Sequence, residues 1–237
     1  MICVSFFLIY DLIVGKAYDR GTILLSFIGW KSIGNSTWFM FVTFVLYLLI
    51  YFVFSIHQKK SKTDRNKLVI PLVVFTLAVC AFAIVLHFVK NEGWYNTIFC
   101  FPLGMWYSYY KDKMDCILHK AYWLLVLGAF LTFCGTYLIY LRYHVVIAFC
   151  LCSCFFALLV VFVTTRVRFR SYFFAFLGKH VFSIYILQRL CFLILQGCID
   201  NNYVYFCVSF IMTVATAFVY DWCFSVVKRR FVCKKNK

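Results

Sequence analysis

Long apolar runs cut by short charged connectors restrict what this chain can fold into more than any other feature of its sequence. Such runs lie at 1–15, 36–56, 68–89, 94–110, 121–140, 145–164, 172–198 and 203–227. A helix of about 20 apolar residues matches the hydrocarbon core of a bilayer. In lipid the backbone must satisfy its own hydrogen bonds, as a helix does. The pattern predicts an all-α, polytopic transmembrane bundle of about eight spans. The first run, interrupted by Asp11, and the run 94–110 are at the short end of what can cross.

Composition agrees. Hydrophobic residues make up 65% of the chain and charged residues 14%, against about 25% charged in soluble domains, so a soluble globular protein is excluded. The 237 residues leave little room beyond the spans, so residues 1–237 read as one integral-membrane domain. The start of the chain has no basic n-region and no small-residue cleavage site, so it does not read as a signal peptide.

The net charge of +16 would suggest nucleic acid in a soluble protein, but the placement of the charges gives another meaning. Basic residues crowd every second connector: Lys59, Lys60, Lys62, Arg65 and Lys67; Lys111, Lys113 and Lys120; Arg166, Arg168 and Arg170; and Lys228, Arg229, Arg230, Lys234, Lys235 and Lys237 at the end. The alternate connectors are poor in them. Short cytoplasmic loops carry such an excess, so both termini are placed in the cytoplasm and nucleic acid is not expected as a partner. Trp and Tyr at run edges fit interfacial belts.

Thirteen cysteines fall mostly inside apolar runs, where Cys acts as a small hydrophobe, so disulfides are not expected. The histidines have no zinc-ligand spacing, and there is no phosphate-binding glycine loop or hydrolase elbow. No metal site and no bound cofactor are expected. Pro102, with Gly104, either breaks the fourth run or bends it mildly.

Ionisable groups inside spans are functional hypotheses by default. On a helix, Tyr185, Gln188 and Arg189 lie within an arc of about 100°, giving one face a phenol, an amide and a guanidinium. That face either lines a polar cavity or meets an acidic partner, for which Asp221 and Asp11 are the candidates. The bland reading of Arg189 is a structural salt bridge, and the sharper one an anion site. Asn35 and Trp38 open the second run, and Trp94, Tyr95 and Asn96 the fourth. These aromatic and amide pairs suit stacking and hydrogen bonding to a sugar, although Ser36 and Thr37 read first as helix caps. His180 reads as a satisfied histidine near the cytoplasmic end of its helix.

Three segments carry a family resemblance: Gly34-Asn35-Ser36-Thr37-Trp38-Phe39; Trp94-Tyr95-Asn96-Thr97 with Phe101-Pro102-Leu103-Gly104; and Leu177-Gly178-Lys179 through Ser183-Ile184-Tyr185-Ile186-Leu187. Their order resembles the later part of the acyltransferase 3 family, membrane-bound acyltransferases that include O-acetyltransferases of bacterial surface polysaccharides. The family's early segment with its catalytic histidine has no counterpart, and Gln188 stands where many members carry His. The expectation is an N-terminally truncated chain, inactive alone, with no catalytic residue assigned.

The resemblance implies a multi-pass protein of the bacterial cell membrane. Such a protein transfers an acyl group, expected to be acetyl, from cytoplasmic acyl-CoA to a hydroxyl of a cell-surface glycan. Asn35, Trp38, Trp94, Tyr95, Asn96, Tyr185, Gln188 and Arg189 are the candidate substrate-binding residues. The competing class is a transporter or flippase for a glycan or anionic small molecule, which also needs polar residues in mid-membrane. A third class is a non-catalytic membrane partner.

Overall fold

The computed structural model describes residues 2–33, 38–58, 68–167 and 170–235. Among these, every regular element is helical: α1 (Ile2–Ile13), α2 (Arg20–Ile28), α3 (Trp38–Gln58), α4 (Val69–Val89), α5 (Cys100–Tyr109), α6 (Lys111–Tyr143), α7 (Val146–Arg166), α8 (Tyr172–Leu195) and α9 (Asn202–Lys235). Six of them, α3, α4, α6, α7, α8 and α9, contain segments long and apolar enough to cross a membrane. Large apolar side chains such as Phe44, Leu77, Leu131, Ile147 and Ile211 remain on their outer faces. In a soluble protein such surfaces would cost stability, whereas lipid tails cover them without loss.

The two short runs behave differently from the rest. α1 is a 12-residue helix. The run 94–110 begins as a 3-10 turn at Glu92–Trp94 and continues through turns bonded from Ile98 N–H to Tyr95 and from Cys100 N–H to Thr97 before α5 starts. The 10 residues of α5 rise only about 15 Å, half of what a crossing helix needs. Pro102 lies in the first turn of α5, where its missing N–H costs nothing. The sharp bend falls elsewhere, in α6 at Ala121 (φ −128°, ψ 36°).

The chain divides into two compact units: residues 1–41 with 170–237, and residues 42–169. In the first, Val4 and Phe7 of α1, Ile33 and Leu190 of α8 form a buried apolar cluster. Tyr10 donates its hydroxyl to the Leu193 carbonyl at 3.2 Å. α2 is closed at both ends by its own sequence: Asp19 accepts from Gly21 N–H at 3.0 Å, and Gly29 takes the left-handed conformation (φ 88°). Such a conformation is one that a glycine adopts without steric cost. α8 and α9 form an antiparallel hairpin whose turn uses Gly197 (φ 85°) and the Asn201 side chain, which accepts from the N–H groups of Tyr203 and Val204.

In the second unit α6 and α7 pack along their length around Leu118, Tyr122, Ala129 and Phe162. α5 is tied to α4 by Trp106 Nε1–H donating to Thr76 Oγ1 at 3.0 Å. Tyr47 of α3 meets Phe101 of α5 edge to face.

Candidate functional site

In the first unit α8 and α9 bring together three polar side chains that sequence reading kept apart. Counting outward from the turn places Asp221 of α9 near the level of His180 and Ser183 of α8. These two sit three residues apart and so on one helix face. Asp221 Oδ2 lies 2.5 Å from His180 Nδ1, and Asp221 Oδ1 accepts from Ser183 Oγ, also at 2.5 Å. His180 is 7% exposed and Ser183 4%. The rings of Phe176 and Phe218 flank the imidazole, with centroids at 4.9 and 5.7 Å.

An ionised carboxylate is an acceptor only, so it takes both the Ser183 O–H and a proton on His180 Nδ1. The second imidazole nitrogen, Nε2, is then the basic one. It has no hydrogen-bond partner among the described residues, yet it is not one of the fully enclosed polar atoms. A carboxylate that holds an imidazole in one tautomer with a free basic nitrogen is a general-base arrangement. Ser183 is committed to Asp221, so it serves to fix the carboxylate rather than to act as a nucleophile.

This corrects the expected role of Asp221. It does not meet Arg189, because Arg189 lies nine residues beyond His180, about 13 Å along the helix and on its opposite side at about 100° per residue. Arg189 is exposed and has no ion pair among the described residues. Asp11 does not meet it either. Asp11 is 4% exposed and bonds to Tyr18, with one carboxylate oxygen left without a partner. In the connector after α1, burial and the Asp11 carboxylate push the Tyr18 hydroxyl above its ordinary value.

The remaining predicted residues fall in two places. In the first unit Tyr185 is half-buried against Phe39, with ring centroids at 5.2 Å, and Phe39 meets Trp38 edge to face. Gln188 is half-buried one turn further along the same face of α8. Asn35, with the proposed caps Ser36 and Thr37, lies outside the described residues.

Trp94, Tyr95 and Asn96 belong to the second unit. Trp94 and Tyr95 are buried, with Lys90 Nζ 4.4 Å above the Trp94 ring and the Tyr95 hydroxyl 2.8 Å from His87 Nδ1. Asn96 is half-buried. The aromatic faces that suited sugar stacking on sequence grounds are turned into the protein here. Nearby, Glu92 accepts from the Tyr140 hydroxyl at 3.2 Å.

His180 and Asp221 are the residues whose joint role the sequence reading missed. A signal was present, in a His and a Ser at i and i+3 and an Asp at matching depth on the next span. Depth alone, however, does not say which faces two helices present to each other.

A model of the acyltransferase 3 family, described as an acyltransferase domain, matches residues 1–222. Neither the curated proteins compared nor the solved structures compared give a match. The match covers both helical units and includes His180, Ser183 and Asp221, so the chain belongs to the acyltransferase 3 family.

Proposed function

We propose that this protein is an acyltransferase of the bacterial cell membrane that uses cytoplasmic acyl-CoA, with acetyl as the acyl group, to acylate a hydroxyl of a cell-surface sugar. His180, oriented by Asp221, acts as the base, and this reading replaces the expectation that the chain is inactive alone. The observation that carries this reading is the carboxylate-held imidazole on α8 and α9 in a chain of this family. His180 lies about 12 Å in from the cytoplasmic start of α8 by its rise per residue, on the side from which the donor comes.

In the reaction, His180 Nε2 takes the proton of the acceptor hydroxyl as its oxygen bonds to the thioester carbonyl carbon. The C–S bond then breaks, and the imidazolium returns the proton to the departing thiolate. The products are an O-acyl sugar and coenzyme A. Arg189, opposite His180 on α8, and Tyr185 and Gln188 between them around the helix are assigned to substrate contact.

The test is acylation in membranes containing the full chain, with labelled acetyl-CoA and a cell-surface glycan as acceptor. Labelled ester and released coenzyme A, both lost in His180→Gln, are expected. Acylation that survives in that variant overturns the base assignment. Uptake of glycan without acyl transfer overturns the enzyme reading in favour of a transporter.

A further inference from the structure

The second unit holds a cavity that the acyl-transfer site does not use. It lies where the ends of α5, α6 and α7 meet on the side assigned to the cytoplasm, with a volume of about 490 Å³. The bend of α6 at Ala121 lies beside it, and Leu118, Tyr122 and Val161 supply the apolar part of its lining.

Two cations and an imidazole line the cavity, Lys111, Arg166 and His119, together with the phenols of Tyr107 and Tyr122. The Arg166 guanidinium is stacked over the Tyr122 ring, with Cζ 4.0 Å from the centroid. A ring beneath its face leaves the N–H edge free, and Arg166 has no ion pair among the described residues. Asp115 is the single carboxylate on the wall, so the lining keeps a positive balance. Thr164 and Thr165 donate their hydroxyls to α7 carbonyls, at 2.9 Å to Val160 and 2.6 Å to Phe162. They are therefore spent as donors, which leaves Lys111, His119 and Arg166, with the phenols of Tyr107 and Tyr122, as the donors of the lining.

A planar guanidinium held by stacking presents a fixed fork that matches phosphate geometry. The volume is in the range of small-molecule sites. From these features we infer that the cavity is a binding site for the phosphate groups of a cytosolic ligand, a nucleotide-like phosphate ester, with Arg166 as the principal contact. That this ligand is the acyl-CoA donor rests on the function proposed above, but the phosphate site itself does not.

The same phosphate chemistry occurs in anionic lipid headgroups, and the experiment separates the two sources. The full chain is placed in nanodiscs of zwitterionic lipid and titrated with ADP, with adenosine as the phosphate-free control. A second arm titrates it with short-chain phosphatidic acid. ADP binding with adenosine silent supports the cytosolic ligand, as does a loss of about tenfold in affinity in both Arg166→Ala and Arg166→Lys. Lys113→Ala, at a lysine lying over Tyr110 outside the cavity, is expected to bind as the unmodified chain does.

Equal weakening by Lys113→Ala overturns the proposal, because it indicates a diffuse field rather than a site. Unchanged affinity in both Arg166 variants also overturns it. Binding of phosphatidic acid alone, lost in the Arg166 variants, overturns the cytosolic ligand in favour of a headgroup. ADP binding without any acyl transfer in membranes leaves this site standing and removes the catalytic reading.

Discussion

Asp221 accepts from His180 and Ser183 with its two carboxylate oxygens, both at 2.5 Å. One carboxylate thus fixes an imidazole and joins two membrane-spanning helices. The double contact explains why an acidic residue is kept in an apolar helix, where an unpaired charge is costly. It also separates two effects that a substitution can have, on proton transfer and on packing.

Replacing His180 with Gln retains a polar side chain of similar reach but no base. Acyl transfer in membranes is expected to fall roughly 10²- to 10⁴-fold, the usual contribution of a positioned acid–base group. The α8–α9 hairpin should still form, as judged by unchanged thermal unfolding in detergent. A parallel loss of folding and activity would assign the pair a structural role only.

Asp221→Asn keeps the acceptor for Ser183 but removes the charge that supports an imidazolium. Activity is expected to fall, because the Asn amide can donate to His180 Nδ1 and so leave the proton on Nε2, where the base is needed. Activity equal to that of the unmodified protein, measured on membranes with the same amount of folded chain, would refute the orienting role. Ser183→Ala, by contrast, removes one hydrogen bond and is expected to cost about 1 kcal/mol of stability while leaving most activity.

Asp11 has an enclosed carboxylate oxygen with no donor, and such a group opposes burial. Asp11→Asn retains an acceptor for Tyr18 while removing the acid, so stability is expected to hold or to rise by about 1 kcal/mol. For Tyr18 itself the folded state favours the neutral phenol. That contribution is complete below the ordinary phenol range near 10 and is lost as pH rises through the higher folded value. Tyr18→Phe should therefore flatten the alkaline limb of the unfolding curve, and an unaltered limb would contradict the assignment.

The orientation can be checked with the chain's own exposed cysteines, Cys116 at the start of α6 and Cys198 in the α8–α9 turn. A membrane-impermeant maleimide is expected to label Cys198 from outside intact cells and Cys116 only in inverted vesicles. Mass spectrometry of the labelled peptides gives the readout, and the reverse pattern would invert the topology.

Much of the fold was legible in the sequence because membrane insertion is decided by local quantities. Run length marked the segments that can cross, and the clustering of lysine and arginine predicts the side of each connector. The short helix α2, closed by Asp19 and Gly29, was not read from the sequence, because its nine residues are too few to give a clear apolar period. The 94–110 run was recognised but not its form: a 3-10 turn, irregular turns and then a short helix. That form depends on neighbours such as Thr76 and Tyr47, which hold α5 in place.

The sequence by itself determined an all-helical membrane protein and its resemblance to a family of acyltransferases, since these rest on hydrophobicity and residue order along the chain. Tertiary structure alone decided the partners of the polar groups. Periodicity put Tyr185, Gln188 and Arg189 within one arc, with Arg189 opposite His180, but it did not show which face α9 would cover. Packing settled that Asp221 meets His180 and Ser183 rather than Arg189. A partner within hydrogen-bond reach is fixed by the rotation and depth of two helices against each other, and no single run of residues encodes either.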